Sequence, residues 1–235
     1  MLAPVFFAAP AGLLHCLRVT PALASWDKAG SSGQLRSAAF IDDVADLVSA
    51  DPATSASGSV AFRLDVGLPE SVPLLALSDL DNYLFPLMPR VQERTGRRFT
   101  SVWATKRHEP DSYVSIGLAV PAHDPGGSRV FDVLTTASAS TSAYKIEIRD
   151  QIGGTAPLSD GPVSLQLAFV VGPRRAWANL WKATIDSLGS ILGHDEGAHE
   201  WNARDGRITE LGLHCAVDES IGNKVKVAIR AESLV

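Results

Sequence analysis

Ser78-Asp79-Leu80-Asp81-Asn82 separates an alternating run, Val60-Ala-Phe-Arg-Leu-Asp-Val66, from the apolar-rich run Tyr83 to Val91. The alternation upstream predicts a half-buried strand, and the spacing downstream predicts a helix. Carboxylates two residues apart on extended backbone fall on one side of it. Asp79 and Asp81 therefore offer two hard oxygen ligands of the kind that hold Mg²⁺ or Mn²⁺. A cation so held can activate water and stabilise a leaving oxygen in phosphodiester cleavage. The same residue types also serve as turn formers and helix caps, and the pentapeptide alone does not separate the two uses. Its surroundings do more, because they occur twice.

Asn82 and Asn179 lie 97 residues apart, and similar elements can be read around each. Upstream of the second Asn, Val163-Ser-Leu-Gln-Leu-Ala-Phe-Val-Val171 repeats the strand-like alternation. A helix is expected ahead of each strand, over Leu35 to Val48 and over Thr141 to Ile152. In the second of these, Tyr144-Lys-Ile-Glu-Ile148 alternates and reads equally as a strand. Short apolar runs, Leu14 to Val19 and Val130 to Leu134, precede the helices. After the asparagines come helices over Tyr83 to Val91 and Leu180 to Leu192. Strands follow at Thr100 to Thr105 and Arg207 to Leu213, and then at Tyr113 to Val120 and Lys224 to Ala231. Pro86 and Pro89 fall inside the first of those helices, which is expected to restart at one of them with proline in its first position. The order strand, helix, strand, helix, strand, strand, stated twice, predicts an α+β fold built as a tandem duplication of a small mixed-sheet unit. The expected product is an intrachain pseudo-dimer of residues 14–120 and 129–235, joined by a Pro/Gly-rich linker at 121–128.

That order of elements, with Asp-Leu-Asp-Asn opening the central helix, resembles the RusA-type Holliday-junction resolvases. These are small dimeric α+β nucleases that cut four-way DNA junctions with Mg²⁺. The resemblance implies an active site made of both aspartates of the motif, a lysine three residues past the Asn, and a further aspartate before the next strand. The first half supplies Asp79, Asp81 and Asn82, but Phe85 stands at the lysine position and the segment 96–101 has no aspartate. The second half has Ala176 and Ala178 in place of the aspartates, yet carries Asn179, Lys182 and Asp205. A composite site is what the resemblance implies: Asp79, Asp81 and Asp205 on the metal, and Lys182 on the developing phosphate charge.

A formal net charge of −5 argues against broad, sequence-independent nucleic-acid binding, which needs a basic footprint. The positive charge is concentrated, however. Six basic residues against Glu93 alone lie between Arg90 and Arg107, and Arg174, Arg175 and Lys182 form a second group. Arg97, Arg98, Arg174 and Arg175 are the expected phosphate contacts; solvated faces or contacts with an acidic protein are the competing reading. The 46% hydrophobic and 20% charged composition is that of an ordinary globular protein. Two cysteines, Cys16 and Cys215, are too few for a disulfide framework and predict reduced, buried thiols in the cytoplasm. The apolar stretch Leu2 to Leu17, with Ala22-Leu-Ala24 behind it, has some features of a secretion signal. No basic residue precedes it, and Pro4 and Pro10 interrupt it. No membrane partner is expected.

His194-Asp-Glu-Gly-Ala-His-Glu200 lacks the His-Glu-x-x-His spacing of a metalloprotease helix and is expected to be a polar loop beside Asp205. Neither a Walker loop nor a Gly-x-Ser-x-Gly elbow occurs. Of the tryptophans, Trp103 is expected in the core and Trp177 at an exposed or interface position. Three functions follow as expectations. The leading one is a nucleic-acid-binding protein derived from a junction-resolving nuclease without a working active site, serving within a larger assembly. The others are a Mg²⁺-dependent, structure-selective endonuclease and a protein-interaction scaffold.

Overall fold

The computed structural model describes residues 2–23 and 30–234, so Trp26 and the end of the signal-like stretch lie outside the described residues. The chain divides into two compact units. The first is residues 8–120, and the second combines residues 1–7 with 121–235. The chain opens with β1 (Phe6–Phe7), which belongs to the second unit. The first unit then runs β2 (His15–Cys16), α1 (Ser32–Ala50), β3 (Val60–Leu68), α2 (Leu80–Thr95), β4 (Phe99–His108) and β5 (Tyr113–Leu118). The second continues with β6 (Pro121–Ala122), β7 (Arg129–Thr135), α3 (Ser142–Ile152), β8 (Val163–Val171), α4 (Trp181–Asp186), α5 (Gly189–Leu192), β9 (Ile208–Val217) and β10 (Val225–Ser233).

Helices and strands mix within each unit, and the fold is α+β. In the first unit β3 lies parallel to β4 and antiparallel to β5, and β5 pairs antiparallel with β2. In the second, β8 lies parallel to β9 and antiparallel to β10, and β10 pairs antiparallel with β7. Each parallel pair carries one register irregularity at the same place, after Val60 in one unit and after Val163 in the other. The parallel pairs are joined by helical crossovers, as strands running the same way require.

Two further devices recur. An inward carboxylate on the first helix of each unit gathers the backbone that enters it: Asp43 accepts from the N–H groups of Arg18 and Val19, and Glu147 from those of Thr136 and Ala137. An arginine just ahead of the second parallel strand clamps the loop ahead of the first. Arg97 donates to the carbonyls of Thr54, Ala56 and Gly58. Arg207, 1% exposed, donates to those of Leu158, Ser159 and Gly161.

Several expectations need correction. α2 is one helix through Pro86 and Pro89, with no restart at either. Each interior proline costs about 3 kcal/mol. Burial of Leu80, Tyr83, Leu84, Leu87, Met88 and Val91, each 0–4% exposed, offsets that cost. Gly96, at φ 65, then ends the helix in the left-handed conformation that glycine adopts freely. The ambiguous run at Tyr144 to Ile148 is helical, because Tyr144, Ile148 and Ile152 recur every four residues and are all buried. The helix read over Leu180 to Leu192 is instead three pieces: a 3₁₀ turn at Trp177–Leu180, then α4 and α5. The Ser187 hydroxyl donates back to the Thr184 carbonyl at the end of α4. The strand read over Leu14 to Val19 is only the pair His15–Cys16. The stretch 121–128 begins as a strand rather than a linker, since Pro121–Ala122 pair with Phe6–Phe7. Cys16 is exposed, and only Cys215 is buried. Trp103 is half-buried, not core, and Trp177 is half-buried against Phe169 and Trp181. Among the described residues, no helix is long and apolar enough to cross a membrane.

Candidate functional site

In each unit the first parallel strand ends in a loop that turns into the crossover helix. The turn has the same backbone bond in both: the N–H of Asn82 donates to the Asp79 carbonyl at 3.1 Å, and that of Asn179 to the Ala176 carbonyl at 3.1 Å. The side chains differ completely. Asp79, Leu80 and Asp81 in one turn correspond to Ala176, Trp177 and Ala178 in the other.

In the first unit the turn is acidic. Leu77, 79% exposed, enters it at φ 64, a left-handed conformation that is costly for a branched side chain. Asp79 is the N-cap of α2 but makes no side-chain cap bond; its Oδ2 accepts from the Asn82 amide at 2.8 Å. Asp81 sits in the first turn of the helix, where the dipole favours negative charge, and is only 3% exposed. Asp79 is half-buried, and Asp81 is closed to solvent. Lys106 reaches this turn from β4. It is 1% exposed, and its Nζ donates to the Ser78 carbonyl at 2.9 Å. Burial and the nearby charge of Asp79 push the Tyr83 hydroxyl above its ordinary range, partly offset by a hydrogen bond with Ser78.

The place of Lys106 is fixed by register. It pairs with Val66, the seventh residue of β3. In the second unit the residue paired with the seventh position of β8, Phe169, is Cys215. Where the carboxylates stand, the strand supplies a buried ammonium; where alanines stand, it supplies a buried thiol, which burial holds neutral with a pKa pushed up to about 12. A buried ammonium and a buried carboxylate are each expensive alone and become tolerable together. A buried cation therefore stands at the acidic turn of one unit, and a neutral thiol at the corresponding strand position of the other.

The donor set was tested against the divalent cation that the resemblance implies. Mg²⁺ retains several waters and needs open octahedral access. Here one of the two carboxylates is buried, and a lysine ammonium stands beside the turn. Among the described residues, no three His, Cys, Asp or Glu side chains are grouped so as to hold a metal ion. Of the two carboxylates, only Asp79 is open to a hydrated cation.

The remaining expected site residues are placed as follows. Lys182 and Asp205 are brought together, Nζ to Oδ2 at 2.7 Å. Asp186 joins them at 3.4 Å from Lys182, and Lys145 is 2.6 Å from Asp186. Both residues are thus engaged in a network of two lysines and two aspartates. Arg97 and Arg98 follow the far end of α2, which at 16 residues is about 24 Å long, so they do not flank Asp79 and Asp81. Arg97 is the clamp described above, while Arg90 and Arg94 pair with Asp42 and Asp46. The basic run of the first unit is therefore largely internal wiring. Arg174 and Arg175, by contrast, line an open depression of ≈ 530 Å³ together with Ser138, Ser140 and Asn179. The loop at 194–200 is polar as expected, but its His194 is structural. The ring lies over Gly189, where a β-carbon would sit 2.0 Å from it, and its Nε2 is 3.0 Å from the Glu200 carbonyl.

No protein-family model matches the chain, and no curated protein matches it.

The places of Lys106 and Cys215 at the two turns and of Arg207 as a clamp are what reading the sequence passes over. Lys106 was visible only as one more charge in a basic run. Its signal was parity: Val102, Ala104 and Lys106 share one face of a strand, and that face is buried.

Proposed function

We propose that the chain is a tandem pair of units derived from a Holliday-junction-resolving nuclease of the RusA type, which has lost cleavage and retained nucleic-acid binding. On this reading the pair acts as a non-catalytic subunit of a larger assembly in the cytoplasm. The observation that carries it is the pairing of matched architecture with unmatched chemistry. Element order, strand pairing, register irregularity, loop clamps and the asparagine turn agree between the units, as descent from one ancestral unit explains. Cleavage would need a set of metal ligands, yet in one unit the carboxylates are opposed by a buried lysine and in the other they are alanines. On the alanine side Arg174 is exposed and Arg175 half-buried, both lining an open depression, which favours phosphate as ligand.

The test is incubation with four-way DNA junctions in Mg²⁺ or Mn²⁺. Salt-sensitive binding without cutting, unchanged in Asp79→Ala, is expected. Symmetric nicking that disappears in Asp79→Ala would show that the endonuclease survives. Absence of binding even at low salt would remove the nucleic-acid reading.

A further inference from the structure

We infer that the depression lined by Arg174, Arg175, Ser138, Ser140 and Asn179 is a phosphodiester-binding pocket, in which an anion takes the place that metal and carboxylates hold in a cleaving site. The inference rests on the nucleic-acid reading above for the identity of the ligand, but not for the existence of the site.

Three observations carry it. First, the lining is one-sided in its chemistry. The two guanidiniums only donate, the Ser138 and Ser140 hydroxyls (3.0 Å from one another) and the Asn179 amide can donate as well as accept, and no carboxylate lines it. Ala176 lines the same depression at the position where the other unit has Asp79, so the group that would repel a phosphate has been removed. Second, Arg175 is incompletely satisfied. Its guanidinium is half-buried; Nη2 makes one long bond of 3.5 Å to the Ala137 carbonyl, and its buried Nε has no hydrogen-bond partner. Elsewhere, Arg90, Arg94, Arg204 and Arg230 each hold a carboxylate. A half-buried guanidinium without an anion is unusual, because its planar donors match carboxylate and phosphate oxygens two at a time. Third, the charge extends beyond the pocket. Arg174 is exposed and also lines a neighbouring depression with Asn223, Lys224 and one carboxylate, Glu219, so a second phosphate along a backbone would meet two cations and an amide against a single negative charge.

The pocket explains why the two turns diverged in opposite senses. Losing the carboxylates while leaving Arg174 and Arg175 unneutralised reverses the charge of a site built at the same asparagine turn. No bond is made or broken; the expected event is binding alone.

The experiment is amide-resolved NMR of the full chain titrated with inorganic phosphate, followed by the same titration with a short single-stranded oligonucleotide. Shifts at residues 138–140 and 174–179 are expected with both probes, extending to 223–224 with the oligonucleotide. Arg174→Glu alters an exposed side chain and should leave the thermal melt unchanged while weakening both titrations roughly tenfold or more, the usual scale for a charge-assisted contact. Arg175→Lys should weaken them less, because the charge stays and only the fork is lost. If phosphate moves no resonance at these positions, or if Arg174→Glu binds both probes as wild type does, the pocket is refuted, even if DNA binds elsewhere. If phosphate shifts the pocket and the oligonucleotide binds nowhere, the pocket stands and the nucleic-acid reading falls.

Discussion

The turn at Ser78 to Asn82 and the turn at Arg175 to Asn179 share a backbone and almost nothing else. Each follows a nine-residue strand, each places an asparagine N–H on the carbonyl three residues back, and each opens a crossover to a parallel strand. One holds two carboxylates with a buried lysine reaching in from the neighbouring strand. The other holds two alanines with a buried cysteine in that lysine's place and two arginines without carboxylates at its entrance. Backbone geometry sets where a ligand can sit, and a handful of side chains sets its sign. Charge at such a place changes as a set, since an uncompensated buried ion is the most expensive state on the path.

The largest effect should come from breaking the acidic set. If Lys106 is the counter-charge of Asp81, Lys106→Met leaves a buried carboxylate uncompensated, and a loss of about 3–5 kcal/mol in urea unfolding is expected. Transplanting the second unit's set, Asp79→Ala with Asp81→Ala and Lys106→Cys, should restore most of that loss. If Lys106→Met costs less than about 1 kcal/mol, or if the triple variant is worse than the single, Lys106 is not the counter-charge.

The clamps give the next test. Arg207→Ala should cost about 3 kcal/mol, because a fully buried guanidinium leaves several loop carbonyls unsatisfied, and Arg97→Ala about half as much, since Arg97 is only half-buried. Equal losses, read from chemical denaturation, would mean that the two clamps are not distinguished by burial.

An acid-sensitive group belongs to the second unit alone. His214 is fully buried beneath Phe6 and Phe7 and 3.2 Å from the Gln166 amide oxygen; burial holds its pKa down to about 3. The unfolded chain takes up this proton near 6.5 and the folded chain does not, so the contribution to stability is complete above 6.5 and is lost as pH falls toward 3. Between pH 6.5 and 5, where carboxylates remain ionised, stability should fall by up to about 1.4 kcal/mol per pH unit. His214→Gln should flatten that slope. A wild-type melting temperature constant across this range would show that the ring is not held neutral.

The smallest effect is at Leu77, whose left-handed backbone has no counterpart in the second turn. Leu77→Gly removes the clash of its β-carbon and should raise stability by up to about 1 kcal/mol. A lower melting temperature would show that the exposed leucine contributes packing that its strain conceals.

Much of this was legible in the residues themselves. Alternation located β3, β8, β9 and β10 to within a few residues, and apolar spacing located α1. The prolines of α2 misled because propensity is local, while the six core residues that hold the helix together exert their effect through packing. β2 was overread because Leu13 and Leu14 are apolar yet exposed. The aspartates were found by type and spacing, but their state was not. Asp81 is closed by burial, and the buried lysine at its turn, Lys106, lies 25 residues further along on a strand. Arg97 looked like a ligand contact because a string of charges carries no sign of which ones the fold already uses.

From the sequence alone came the order of elements, its near repetition around Asn82 and Asn179, and the unequal distribution of Asp, Ala, Lys and Arg about those two points. These follow from periodicities of two and about 3.6 residues, which are properties of neighbouring positions. Tertiary structure alone decided that Lys106 and Cys215 occupy the same place, that Asp81 is buried, that Arg97 and Arg207 are clamps, and that Arg174 and Arg175 lack carboxylate partners. Each of these depends on strand register and burial, and therefore on residues that are distant along the chain and adjacent only once it has folded.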